Sequence, residues 1–225
     1  MAQIALIPLL VLSVGLLLRA EARAQQKRIY TYKPLSTVLV ILIAGLSLRL
    51  PAARPGYTAG ILVGLVLSLG GDGALMFSSP RAFRTGLILF ALAHVAYSVT
   101  LTSFGGFHWA DWISAAVLLA LTMAVYAYLA PGLGEMRGPV IVYMLLISLM
   151  VHRAVSTFWG DATSLAQAWM LSVGAALFWI SDLILAIARF RGPLRHQRLS
   201  LAAYYAGQLL IALSTSFFAP AVPFL

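Results

Sequence analysis

The sequence predicts an all-α fold, a polytopic transmembrane bundle of about eight helices making one integral membrane domain over residues 1–225. Three observations carry that expectation. Hydrophobic residues make up 62% of the 225 residues and charged residues 9%, against roughly 45–50% and 25% in ordinary soluble domains. The apolar residues come in runs close to the length, about 20 residues at 1.5 Å rise each, that crosses the hydrocarbon of a bilayer. The basic residues gather in alternate connections between those runs.

In chain order, glycines, prolines and charges bound helices expected near 3–19, 35–50, 57–77, 85–104, 111–130, 139–157, 164–189 and 199–217. The first apolar stretch, from Ile4 to Leu18, has no cationic leader and no convincing cleavage site, so it is expected to remain as a helix. Lys33-Pro34 is expected to open the second helix, because proline suits a first turn.

The formal charge of +9 does not indicate nucleic acid, since the basic residues form no stripe interleaved with aromatics. They read as topology signals. The first, third, fifth and seventh connections hold Arg19, Arg23, Lys27, Arg28 and Lys33; Arg81 and Arg84; Arg137; and Arg189, Arg191, Arg195 and Arg198. These are 12 of the 15 Lys and Arg residues, and Arg49, Arg54 and Arg153 are the remaining 3. An excess of Lys and Arg marks the cytoplasmic side. Both termini are therefore expected outside the cytoplasm, in a bacterial inner membrane. The absence of cysteine rules out a disulfide framework, an Fe–S cluster and a thiol nucleophile. No inverted repeat suggests a transporter built from two halves.

An ionisable group inside a spanning helix is costly and is by default a functional hypothesis. Glu21, Asp111, Glu135 and Asp161 lie in or beside connections and read as solvated; Asp72 and Asp182 do not. At about 100° per residue, Gly64, Ser68, Gly71 and Asp72 share an arc of roughly 100°. Gly56, Gly60 and Gly64 suit a small-residue packing seam, which needs no carboxylate. Asp182 ends the run Gly174 to Ser181, with Arg189 as its alternative, purely structural partner. His94 and Tyr97 are spaced i, i+3, and Tyr204 or Tyr205 lies i+4 or i+3 from Gln208, so each pair can share a helix face. Any one pair could be interhelical glue. Their shared depth favours a site, because Asp72, His94, Tyr97, Ser181, Asp182, Tyr205 and Gln208 all fall in the cytoplasmic halves of their helices. His108, His152 and His196 fall elsewhere and read as interfacial. Lys33 is expected to act as a topology residue or to meet a lipid phosphate.

Five segments occur in order: Lys33-Pro34-Leu35; Ser68-Leu69-Gly70-Gly71-Asp72; Phe90 to Tyr97; Gly174 to Asp182; and Tyr204-Tyr205-Ala206-Gly207-Gln208. Through them the chain resembles the YhhN, or TMEM86, family of eight-helix membrane proteins. The resemblance implies a lysoplasmalogenase, which hydrolyses the vinyl-ether bond of a lysophospholipid to a fatty aldehyde and a glycerophospho-base. Gly73 stands where the family often has a bulkier residue, a change expected to widen the pocket.

Two carboxyl groups suit that chemistry. Protonation of the vinyl β-carbon gives an oxocarbenium ion, which water captures; the step needs a protonated acid and a nearby anion, as in paired-carboxylate glycosidases. Asp72 and Asp182 are expected to be that pair, with the choice of acid open. Lys33, Ser68, His94, Tyr97, Ser181, Tyr204, Tyr205 and Gln208 are expected to bind or orient. No cofactor and no metal are called for, and the expected partners are a lysophospholipid substrate and membrane lipids, with neither nucleic acid nor a protein partner. Two other readings suit the same residues: a proton-coupled carrier of a small amphiphile or lipid, and a metal-dependent hydrolase of another lysolipid.

Overall fold

The protein is a bundle of α-helices in a computed structural model that describes residues 2–160, 162–195 and 197–218. Asp161 and His196 lie outside the described residues. A short α1 (Ala2–Ala5) leads into α2 (Ile7–Ala22), whose second residue is Pro8. Then come α3 (Gln26–Leu46), α4 (Pro55–Leu75), α5 (Pro80–Gly105), α6 (Asp111–Leu133), α7 (Arg137–Ser156), α8 (Leu165–Phe190) and α9 (Arg198–Leu213).

Six stretches are long and apolar enough to cross a membrane. One of them, Asp111–Trp159, is 49 residues long and holds both α6 and α7. Gly134 ends α6 with φ 50°, in the left-handed region that glycine adopts without the Cβ penalty, so the chain folds back there. The 16-residue α9 is continued by a 3-10 turn, Ser214–Ser216. The expectation of about eight crossing segments thus fits this polytopic, integral membrane fold. Many apolar side chains point outward, among them Leu9, Val63, Ile88, Val99, Val142 and Leu165, the arrangement expected where lipid is the outer solvent.

Pro34 does not open the second helix. The helix begins at Gln26 and carries Pro34 in its interior. Proline there removes the amide that would bond the Tyr30 carbonyl, a loss tolerated in membrane helices where neighbouring groups satisfy the freed oxygen. Lys27, Arg28 and Lys33 consequently ride on helix rather than loop. The helix expected fourth, α5, also starts early, at Pro80, because the Ser79 side chain accepts a bond from Ala82 N–H at 3.1 Å and Pro80 suits the first turn.

Glycines set the closest approaches. A Cβ at Gly60 would lie 2.0 Å from Thr100 Oγ1, one at Gly64 2.3 Å from the Tyr97 ring and one at Gly71 2.6 Å from the Phe90 ring. The seam therefore joins α4 to α5 through Gly60, Gly64 and Gly71, while Gly56 has ordinary clearance from Phe104 at 3.5 Å. A second seam brings the backbones of α8 and α9 together at Gly174 and Gly207. These two seams fix the helices that carry Asp72, His94, Tyr97, Asp182, Tyr204 and Gln208.

Candidate functional site

Asp72 lies one turn before the end of α4 and is 2% exposed. Three donors converge on it. Thr37 Oγ1 of α3 donates to Oδ2 at 2.6 Å, Tyr204 of α9 donates to the same oxygen at 2.8 Å, and Lys33 Nζ lies 3.5 Å from Oδ1. A relay stands behind Tyr204: Tyr97 donates to Gln208 Oε1 at 3.1 Å, and Gln208 Nε2 donates to the Tyr204 hydroxyl at 3.1 Å. Tyr205 donates to the Lys33 carbonyl at 2.9 Å and sits 3.2 Å from Thr37 Oγ1. The polar residues of α5 and α9 thus form one directed chain ending on the carboxylate.

Asp182 of α8 has different neighbours. The Tyr143 hydroxyl of α7 donates to its Oδ2, and His94 Nε2 lies 3.1 Å from that hydroxyl and 3.8 Å from Oδ2. His94 is fully buried, and among the described residues its Nδ1 has no partner. Ser181 bonds Ser200 at 3.1 Å. An aromatic partition divides the two clusters. The Phe178 ring packs edge-on against His94 at 4.9 Å and against Tyr204 at 5.1 Å, and Phe90 lies 5.9 Å from Tyr204.

Both acids line one cavity of about 510 Å³. Its polar wall includes Lys33, Asp72, Tyr143, Ser181, Asp182 and Tyr204, and its apolar wall includes Leu87, Leu129, Met144 and Ile147. It reaches Ser78, Ser79 and Gln197, in the connections at the same end of the bundle.

Several expectations change. Lys33 pairs with Asp72, a contact open to it because α3 begins early and carries Lys33 on its inner face. Arg189 does not pair with Asp182; its guanidinium sits 4.9 Å over the Phe83 ring. Ser68 is buried but bonds its own helix at the Gly64 carbonyl, at 2.9 Å, and stays outside the cavity lining. Gly73 has open space around it and is not part of that lining, so it does not widen this cavity. Asp111 is not solvated. It is 8% exposed and accepts bonds from Arg153 at 3.0 Å, Ser156 at 2.6 Å and the His108 amide at 2.9 Å. The turn between α5 and α6 folds inward onto α7, burying the acid with Arg153, which is 2% exposed. Glu135 does remain at the surface, 3.3 Å from Arg84. His108 and His152 lie at the far end, bonded to the Gly105 carbonyl and to Ser114. Thr37 and Tyr143 are the polar contacts that sequence reasoning missed.

The YhhN family model matches residues 29–215, which contain all the clustered residues named above. Lysoplasmalogenase TMEM86A of Bos taurus is 34% identical over 181 residues, 78% of this chain and 72% of its own. Lysoplasmalogenase TMEM86B of Homo sapiens is 34% identical over 180 residues, covering 78% and 71%. An uncharacterized membrane protein YhhN of Escherichia coli O6:H1 is 29% identical over 210 residues, covering 90% and 94%. No solved structure matches. A polytopic helical bundle with a buried carboxylate on α4 and a partly buried one on α8, matched across residues 29–215 by the family model, places this chain in the YhhN family.

Proposed function

We propose that this protein is a membrane-embedded hydrolase that cleaves the vinyl-ether bond of a lysoplasmalogen. The observation that carries the reading is that two carboxyl groups, Asp72 and Asp182, line one cavity with a polar and an apolar wall. Similarity to relatives named lysoplasmalogenases supports the same substrate class.

The surroundings of the two acids suggest distinct roles. Lys33, Thr37 and Tyr204 all donate to Asp72, so its oxygens act as acceptors, the work of a carboxylate. Asp182 is met by Tyr143 and His94 at Oδ2, and among the described residues nothing donates to its Oδ1, the oxygen left to carry a proton to the substrate, so Asp182 is the proton donor. It protonates the β-carbon of the vinyl ether, and the charge that develops on the adjacent carbon and oxygen is stabilised by Asp72. Water, losing a proton to Asp72, adds to that carbon. The hemiacetal collapses to aldehyde and glycerophospho-base as its hydroxyl proton passes to the leaving glycerol oxygen; one water is consumed, and proton exchange through water in the cavity returns Asp72 to the carboxylate and Asp182 to the acid.

The cavity's volume falls within the roughly 300–1,000 Å³ common for ligand pockets and suits one acyl-like chain better than two. Specificity for the lysolipid follows, and equal turnover of the two-chain plasmalogen would contradict it. The distribution of Lys and Arg further supports termini outside and a cavity open to the cytoplasmic leaflet; a cytoplasmic reporter signal after Leu225 would reverse that orientation.

The decisive test is incubation of purified protein with lysoplasmenyl lipid in deuterated, oxygen-18 water. Carbon protonation puts deuterium on the carbon next to the aldehyde carbonyl, after correction for exchange, and leaves the glycerol oxygen unlabelled. No aldehyde release, or heavy oxygen in the glycerol product, defeats the mechanism.

A further inference from the structure

Besides its two acids, the cavity is bordered at its open end by Arg189, Arg198 and Glu21, all exposed. The chain's other cations near acids are spoken for: Lys33 is held by Asp72, Arg84 by Glu135 and Arg153 by Asp111. Among the described residues, neither Arg189 nor Arg198 has a carboxylate partner. Arg189 is held over the Phe83 ring, which itself lines the cavity, at 4.9 Å. That stacking uses the face of the guanidinium and leaves its donor edge available.

Topology alone does not explain these two. A positive connection needs charge anywhere in the loop, and Arg191 and Arg195 supply it without bordering the cavity. Arg191 instead stacks on Tyr128 at 4.8 Å. The feature to be explained is a pair of unneutralised guanidiniums at the mouth of a cavity whose inner wall is apolar.

We propose that Arg189 and Arg198 form the headgroup subsite of this cavity, binding the phosphodiester of a single-chain lipid, with Glu21 meeting its cationic base. The inference rests on the hydrolase reading for the identity of the substrate, but binding tests it separately. Guanidinium forks match phosphate oxygens and bind them bidentately. The apolar wall takes the chain, so the cavity recognises an amphiphile rather than a free anion. With the phosphate at the rim and the chain inside, the linkage between them lies at the level of the two acids.

The probe is a saturated alkyl-ether lysophosphoethanolamine, which has no vinyl bond, compared with the alkyl glycerol of the same chain length. Hydrogen bonds to charged groups are worth about 1.5–3 kcal/mol, so the phospholipid should bind the wild-type protein at least about tenfold more tightly than the alkyl glycerol. Arg189→Gln with Arg198→Gln should bring the two ligands to within about threefold of each other, while Arg191→Gln leaves the preference intact. Monodispersity on size exclusion establishes that each variant is folded. Glycerophosphoethanolamine should compete weakly and inorganic phosphate more weakly still. A wild-type protein that binds both lipids alike, or a double variant that keeps the preference, overturns the subsite. Inorganic phosphate competing better than glycerophosphoethanolamine shows a plain anion site and overturns the lipid assignment. Arginine-dependent binding without aldehyde release from the vinyl ether sustains the subsite and defeats the hydrolase reading alone.

Discussion

Replacing Asp72 by Asn separates what this carboxylate does for folding from what it does for chemistry. Asn keeps the volume and can still accept from Thr37 or Tyr204, but it strands the Lys33 ammonium, whose side chain is 12% exposed. Removing one partner of a buried ion pair costs about 3–5 kcal/mol. The residual exposure of Lys33 and the 3.5 Å separation of the pair put the loss at the low end, about 3 kcal/mol. Turnover should fall about 10²–10³-fold, the usual effect of removing one preorganised group that faces developing charge. Adding Lys33→Met to Asp72→Asn removes the stranded ammonium, and stability should largely return while turnover does not. Both quantities are measured on the same purified samples, by melting in detergent and by aldehyde release. Recovery of turnover in the double variant would mean that Asp72 serves only to neutralise Lys33, and the assignment of its carboxylate to the reaction would be refuted.

Tyr143→Phe removes the hydroxyl shared by Asp182 and His94; turnover should drop by about tenfold or more at nearly unchanged melting temperature, and full activity would detach Tyr143 from the site. Gly64→Ala forces a Cβ to within 2.3 Å of the Tyr97 ring and should destabilise by about 1–3 kcal/mol, whereas Gly73→Ala, with open space around it, should stay within about 0.5 kcal/mol. Equal melting of these two alanine variants would argue against the α4–α5 seam. Arg153→Met strands Asp111 at the far end and should cost about 3–5 kcal/mol with little change in turnover per folded molecule. A melting temperature equal to that of the wild type would show that this pair holds nothing together.

The two acids stood out in the sequence because hydrocarbon makes an isolated carboxylate costly, and both line the same cavity. Tyr97, Tyr204, Tyr205 and Gln208 were legible through helical spacing, and all four join the Asp72 cluster. Tyr143 was not. It stands alone in the apolar run from Val140 to Ile147, and its neighbours one turn away, Pro139, Val140, Leu146 and Ile147, are all apolar. Its partners come from α5 and α8, so only tertiary packing reveals it. Thr37 was hidden for the reverse reason, since a hydroxyl beside Ser36 ordinarily bonds its own helix, and Thr37 does also lie 3.2 Å from the Lys33 carbonyl. Asp111 was misread because an acid at a helix start favours the helix dipole without help; its burial depends on Arg153, 42 residues away. The helix starts at Gln26 and Pro80 precede those expected near 35 and 85, because charged and proline residues read as boundaries, whereas α3 carries Lys33 and Pro34 in its interior and α5 takes Pro80 in its first turn.

Under the proposed vinyl-ether hydrolysis, which would release a fatty aldehyde, the Lys33–Asp72 pair also bears on self-modification. Aldehydes condense with amines to imines, and an enzyme that makes them risks being modified by its own product. The chain contains 13 arginines but two lysines, Lys27 and Lys33, and Lys33 is the one that borders the cavity. Held 3.5 Å from Asp72 Oδ1, the Lys33 nitrogen is engaged by the carboxylate rather than presented to the product, and the guanidiniums at the rim are poor nucleophiles. Borohydride reduction in the presence of a long-chain aldehyde should therefore leave Lys33 unmodified in the wild-type protein and attach a secondary amine there in the Asp72→Asn variant, with the exposed Lys27 labelled alike in both. Equal labelling of Lys33 in the two proteins would show that the pair gives the amine no such protection.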